Sequence, residues 1–126
     1  MTKLILLALS CCLLNFAHAE GLEGKVATLG LELKGLIQNK EVLTVSAEIK
    51  SSAFSSGLYF EPKNKLVLLE VPDNCLALVQ LAFVGNFKFS IRGELKKFHE
   101  NYTSASEVAF NEKSAIRCEV IKGKDQ

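Results

Sequence analysis

The chain has 126 residues, 48% hydrophobic and 23% charged, with four cysteines, two histidines, one methionine and no tryptophan. That is the composition of a globular domain, and it excludes disorder, collagen and coiled coil. Fifteen Lys and Arg stand against 14 Asp and Glu, so no charge excess drives the domain toward phosphates or anionic lipid, which disfavours a dedicated nucleic-acid or membrane-surface binder.

The opening stretch speaks to compartment. Lys3 precedes an apolar run from Leu4 to Leu14, and Ala17-His18-Ala19 is a small-x-small site. The pattern predicts a secretory signal over residues 1–19, cleaved after Ala19. A span would need roughly 20 consecutive apolar residues, and this run stops at Asn15. A competing reading is lipoprotein anchoring at Cys11, since Ala8-Leu9-Ser10-Cys11 loosely resembles a lipobox, with Ala8 where Leu is preferred. The expected product is one secreted or periplasmic domain, residues 20–126, with 14 basic and 14 acidic side chains and no net charge. Cys75 and Cys118, 43 residues apart, are its two cysteines, and in an oxidising compartment they are expected to form a disulfide.

Alternation of apolar and polar residues then dominates. Leu29, Leu31, Leu33 and Ile37 share one face of a predicted strand at 25–37, with Gly30 and Gly35 as bulge or bend positions. A polar turn at 38–41 leads to a second strand at 42–50, where Leu43, Val45, Ala47 and Ile49 alternate with Thr44, Ser46, Glu48 and Lys50. The two read as an antiparallel hairpin. Ser51–Gly57 reads as a loop holding Phe54, followed by a short strand at 58–61, a turn at 62–65 and an apolar strand at 66–71.

Pro72-Asp73-Asn74 offers an N-cap and Gly85-Asn86 a stop, which predicts one short helix over 75–84, although that run is apolar enough to be a buried strand. Phe87, Phe89, Ile91, Gly93 and Leu95 face one way on the next strand, with Lys88, Ser90, Arg92 and Glu94 opposite. A polar loop is expected over 96–106, then a short strand at 108–110, a turn at 111–114 and a last strand at 115–121 with Ile116, Cys118 and Val120 inward. Residues 123–126 read as a polar tail.

This order, mainly β with one helix between the third and fourth strands, is similar to the OB-fold, a five-stranded Greek-key barrel. The segment Phe89-Ser90-Ile91-Arg92-Gly93-Glu94-Leu95 resembles a strand of small bacterial exported OB-fold domains. The extra alternating segment near Val108 leaves a small β-sandwich or a lipocalin-like barrel as alternatives. The resemblance implies ligand binding across the second and third strands and their flanking loops. Thr44, Ser46, Glu48 and Lys50, the 38–41 turn and the 96–106 loop occupy those positions.

Catalytic chemistry finds little support. His99 is the only histidine after Ala19, no Gly-x-Ser-x-Gly elbow accompanies it, and no Cys-x-x-Cys or His pair forms a metal motif. No phosphate-cradling glycine loop or other cofactor motif is present. The one concentration of positive charge joins Lys88, Arg92, Lys96 and Lys97 to Phe98 and Tyr102, a combination suited to stacking recognition of sugars or single strands. Asn101-Tyr102-Thr103 is a glycosylation sequon. The chain therefore reads as a non-catalytic binding module without a cofactor, its partner a glycan or protein ahead of a nucleic acid. The alternative is a secreted inhibitor or accessory protein that plugs an extracellular enzyme with the 51–57 or 96–106 loop.

Overall fold

The structure, a computed structural model, describes residues 22–39, 41–55 and 64–122. The expected signal segment, Cys11, the short strand at 58–61, the start of the turn after it and the tail at 123–126 lie outside the described residues. Strand β1 (Val26–Asn39) and β2 (Val42–Phe54) form the expected antiparallel hairpin. β3 (Leu66–Glu70) runs into a 3-10 turn, Asp73–Cys75, and helix α1 (Leu76–Gly85). β4 (Lys88–His99), β5 (Ser106–Phe110) and β6 (Arg117–Ile121) complete the chain.

The strands close in the order β1-β2-β3-β5-β4-β1, every pairing antiparallel except β3 with β5. This is a closed five-stranded, OB-fold-like barrel with its helix between β3 and β4, as the element order predicts. The segment near Val108 is not an additional stave. β5 lies opposite Leu95–His99 and β6 opposite Lys88–Arg92, so the two run end to end along one edge of β4. Between them, residues 111–116 loop outward, held where the Glu94 carbonyl accepts from the Asn111 N–H at 2.8 Å. The fifth stave is one strand line, interrupted.

The core follows the alternation. Leu29, Leu31, Val45, Ala47, Val67, Leu69, Phe89, Ile91, Leu95 and Val108 are buried inside the barrel, and Cys75, Val79 and Ala82 join them from the helical segment. Each fully buried Leu, Ile or Phe contributes about 1.5–3 kcal/mol by leaving water. β1 serves two neighbours, and its register against β2 shifts between Gly30 and Leu31 and again between Leu33 and Gly35. These are the bends expected at the two glycines. At Gly30 a Cβ would meet the Ser51 Oγ at 2.7 Å, so a side chain there would require that hydroxyl to turn away.

Four expectations change. Ile37 is 43% exposed, not core, because β4 pairs with β1 only through Glu32 and the hairpin outruns the barrel. Ser51–Phe54 belong to β2, paired with Ala27–Gly30, and Phe54 is buried; four serines in seven residues disguise a strand end. Lys96–His99 belong to β4, carried past a bulge between Leu95 and Lys97 that turns both lysines outward. The last strand begins at Arg117, with Ala115 and Ile116 in the connection before it, while Ile116, Cys118 and Val120 do pack toward the core.

The helix is real, but its start is not capped by a side chain. The Cys75 N–H donates to the Pro72 carbonyl at 2.9 Å, and the Asn74 side chain reaches instead to the Ile116 carbonyl at 3.4 Å. At the other end Asn86 takes the left-handed conformation, φ 57°. The Phe87 N–H then donates to the Ala82 carbonyl at 2.8 Å, which closes the last turn. Cys75 and Cys118 have their sulfurs at disulfide-bonding distance, with Cα atoms 5.9 Å apart, and tie the helix start to β6.

Two outcomes are expected. Replacing Cys75 and Cys118 together by Ser lowers stability by about 4 kcal/mol in the chain-entropy account of a 43-residue loop, read from denaturant unfolding. A shift within error would mean the bond contributes nothing. Gly93→Ala brings a Cβ to 3.0 Å from Phe110 and 3.1 Å from Ile116, and overpacking of that kind costs about 1–3 kcal/mol in the same measurement.

Candidate functional site

The residues expected to bind do not come together in one place. On β2, Thr44, Ser46, Glu48 and Lys50 share the outer face as expected. Glu48 and Lys50 are already engaged there, with Glu32 and Lys34 of β1, in a four-membered ion cluster with separations of 3.3–3.9 Å. The Lys34 ammonium, by hydrogen bond and then by charge, with help from Lys50, holds the Glu32 carboxyl below its ordinary range. This face is therefore internally neutralised.

The expected basic concentration is dispersed along β4. Lys88 and Lys96 are eight residues apart, about 26 Å along a strand. Arg92 donates to the Thr28 Oγ1 at 2.7 Å, beside the cross-strand Arg117. Lys97 pairs with Glu107 at 2.8 Å, and that contact raises the ammonium and lowers the carboxyl from their ordinary values. Phe98 is only 8% exposed and belongs to the core, so it presents no stacking face. Its apparent availability came from reading residues 96–99 as loop. Tyr102 is 68% exposed, in the short connection between β4 and β5. In that connection the Asn101 side-chain amide donates to the Ala105 carbonyl at 2.9 Å, and the Asn101 N–H to the Ser106 Oγ at 3.0 Å. The sequon asparagine thus has a structural use.

Among the described residues a cleft lies elsewhere, at the end of the barrel where the β1–β2 turn, the end of β3 and the start of α1 meet. Its volume is about 230 Å³. Gln38, Glu41, Glu70, Asp73, Gln80 and Glu112 give it polar walls, and Lys96 is the one cation among the described residues that line it. Val42, Leu43, Val71, Pro72, Leu76 and Phe110 provide apolar floor. Asp73 and Glu112 also line a neighbouring depression with Asn74, Ser114 and Ile116, so the groove continues toward the start of β6. Of the positions expected to bind, Lys96 and the 38–41 turn, through Gln38 and Glu41, reach this cleft. Glu70, Asp73 and Glu112 carry no local signal, because they lie at the end of β3, in the turn after it and beyond β5, and meet only when the barrel closes. The 38–41 turn was the one usable signal.

Among the described residues, no three His, Cys, Asp or Glu side chains are grouped to hold a metal ion. His99 lies outside the cleft. No helix among them is long and apolar enough to cross a membrane. No protein-family model matches the chain, and no curated protein or solved structure is significantly similar to it. Its likeness to the OB-fold therefore rests on strand order and helix placement.

The ion cluster yields a signed expectation. A carboxyl whose folded value is depressed stabilises above its unfolded value and loses that contribution as pH falls through the folded one. Replacing Lys34 and Lys50 by Ala should move the Glu32 titration midpoint, followed by NMR, up toward 4.5. Because the cluster is exposed, the melting temperature should scarcely change; a large drop would contradict this account.

Proposed function

We propose that the protein is a small exported, non-catalytic binding module, akin to bacterial exported OB-fold domains, whose cleft takes a neutral or amino-bearing oligosaccharide. The observation that carries this reading is the composition of the cleft among the described residues: four carboxylates and two carboxamides beside apolar side chains, with a single cation. Carboxylates and amides accept and donate to vicinal hydroxyls, and an apolar floor suits the C–H face of a pyranose. The same acids repel a phosphate backbone, which puts nucleic acid last among the partners considered. We read it as non-catalytic on the sequence, which carries no nucleophile elbow or triad motif around His99. The signal-like leader and the paired cysteines support an extracellular or periplasmic home.

A second reading, an inhibitor or accessory protein of an extracellular enzyme, draws on a different feature. Leu36, Ile37 and Val42 are exposed at the projecting β1–β2 end, beside the cleft, and apolar residues on a protruding hairpin suit insertion into a folded partner. The expected inhibitor loops at 51–57 and 96–106 are partly strand, so the hairpin end takes their place.

Calorimetric titration with neutral, amino-bearing and acidic oligosaccharides separates the readings. The module reading expects the first two to bind. It also expects Glu70→Gln with Asp73→Asn to weaken binding by about tenfold or more, the effect of losing charged hydrogen bonds. Binding of no sugar, or equal affinity in the double variant, overturns it. An interaction with a purified hydrolase that Ile37→Asp abolishes would favour the inhibitor.

A further inference from the structure

The ring closes through the β5 part of its fifth stave, but the β6 part does not share that protection. Among the described residues it pairs with β4 alone. The direction of its free groups follows from the ladder. The Glu94 N–H and carbonyl turn toward Ser114 and Asn111, whereas those of Leu95 turn toward Lys25 and Gly24 of the other side. Peptide groups alternate along a strand, so Lys88, Ser90 and Arg92 address β6, and their partners Ile121, Glu119 and Arg117 answer them. Cys118 and Val120 consequently aim their N–H and C=O groups away from the barrel. Ile116, of the same parity, has its carbonyl met by Asn74, which fits the assignment. An edge of this kind is a template for another strand.

Two further observations lie at the same edge. Helix α1 packs beside β6, pinned there by Cys75 and Cys118. Its sequence, LALVQLAFVG, is apolar on every face but Gln80. Leu81 and Phe83 are exposed and Val84 is 82% exposed, whereas a helix apolar all round is normally covered. On the outer face, Arg92 stands directly opposite Arg117, a like-charge pairing that costs stability unless an anion flanks it.

We propose that β6 is the seam of a two-fold homodimer, formed by antiparallel pairing of β6 with the same strand of a second copy. Charge selects the register. Centring the two-fold on Cys118 sets Arg117 against the partner's Glu119, and Glu119 against the partner's Arg117, in the close, non-hydrogen-bonded positions. The flanking carboxylate relieves the Arg92–Arg117 opposition. Centring it on Glu119 would place that carboxylate against the partner's Glu119. In the favoured register the two barrels share one continuous sheet, with both α1 helices on the same side of the seam and their apolar faces turned toward each other. The interface is isologous, as closed dimers require. It is independent of what fills the cleft.

The test is the mass of the full, processed protein in solution, by sedimentation equilibrium from micromolar to hundreds of micromolar, with folding checked by circular dichroism. The wild type should approach twice its monomer mass. Glu119→Arg should weaken association by about tenfold or more, and Arg117→Glu added to it should restore the dimer by exchanging the charges. A wild-type monomer throughout overturns the proposal, including one that binds inorganic phosphate at Arg92 and Arg117 instead. A dimer indifferent to Glu119→Arg overturns it too, because the seam would then lie elsewhere.

Discussion

The barrel depends on one strand keeping two partners. β1 lies against β2 from Ala27 to Asn39 and against β4 from Val26 to Glu32, and without the second pairing the sheet would remain open. A strand cannot follow both neighbours while straight. The register shifts at Gly30 and Gly35 let it coil around the core and then leave β4 behind. That departure creates the projecting hairpin end, and with it one wall of the cleft. The position of the candidate site is thus set by where β1 stops being shared.

The helix segment governs the other wall. The 3-10 turn at Asp73–Cys75 lets the chain leave β3 and bury Cys75 within five residues of Glu70. Asp73 stays exposed at the cleft, and Cys75 can meet Cys118. The bond and the cleft wall are therefore consequences of the same tight turn. The interruption at 111–116 serves both as well, because it delivers Glu112 to the cleft before the chain resumes its place beside β4.

Much of this architecture was legible in sequence because alternation is a direct record of which face meets the core. Leu29, Leu31, Val45, Ala47, Phe89 and Ile91 declared their faces, and Asn86 declared the helix end. Errors arose where a local signal was read without its neighbours. The serines after Lys50 suggested a loop, yet Ser52 and Phe54 are buried because β1 is long enough to pair them. Lys96 and Lys97 in succession broke the alternation, and the bulge that explains them is visible only against β5. The cleft was least legible of all, since Gln38, Glu70, Asp73, Lys96 and Glu112 are scattered over 75 residues and no spacing rule joins them.

The parallel pairing of β3 with β5 has a consequence for how the molecule is made. Val67 meets Ser106 and Leu69 meets Val108, contacts that skip about forty residues and close the ring. Until the chain beyond Ser106 is free to fold, β3 lacks that neighbour and the ring stays open. Closure is therefore a late, non-local event, of the sort that slows folding. Until that pairing forms, the edge of β3 is open to any other strand, so the order in which the chain is made leaves one stave waiting for its proper neighbour.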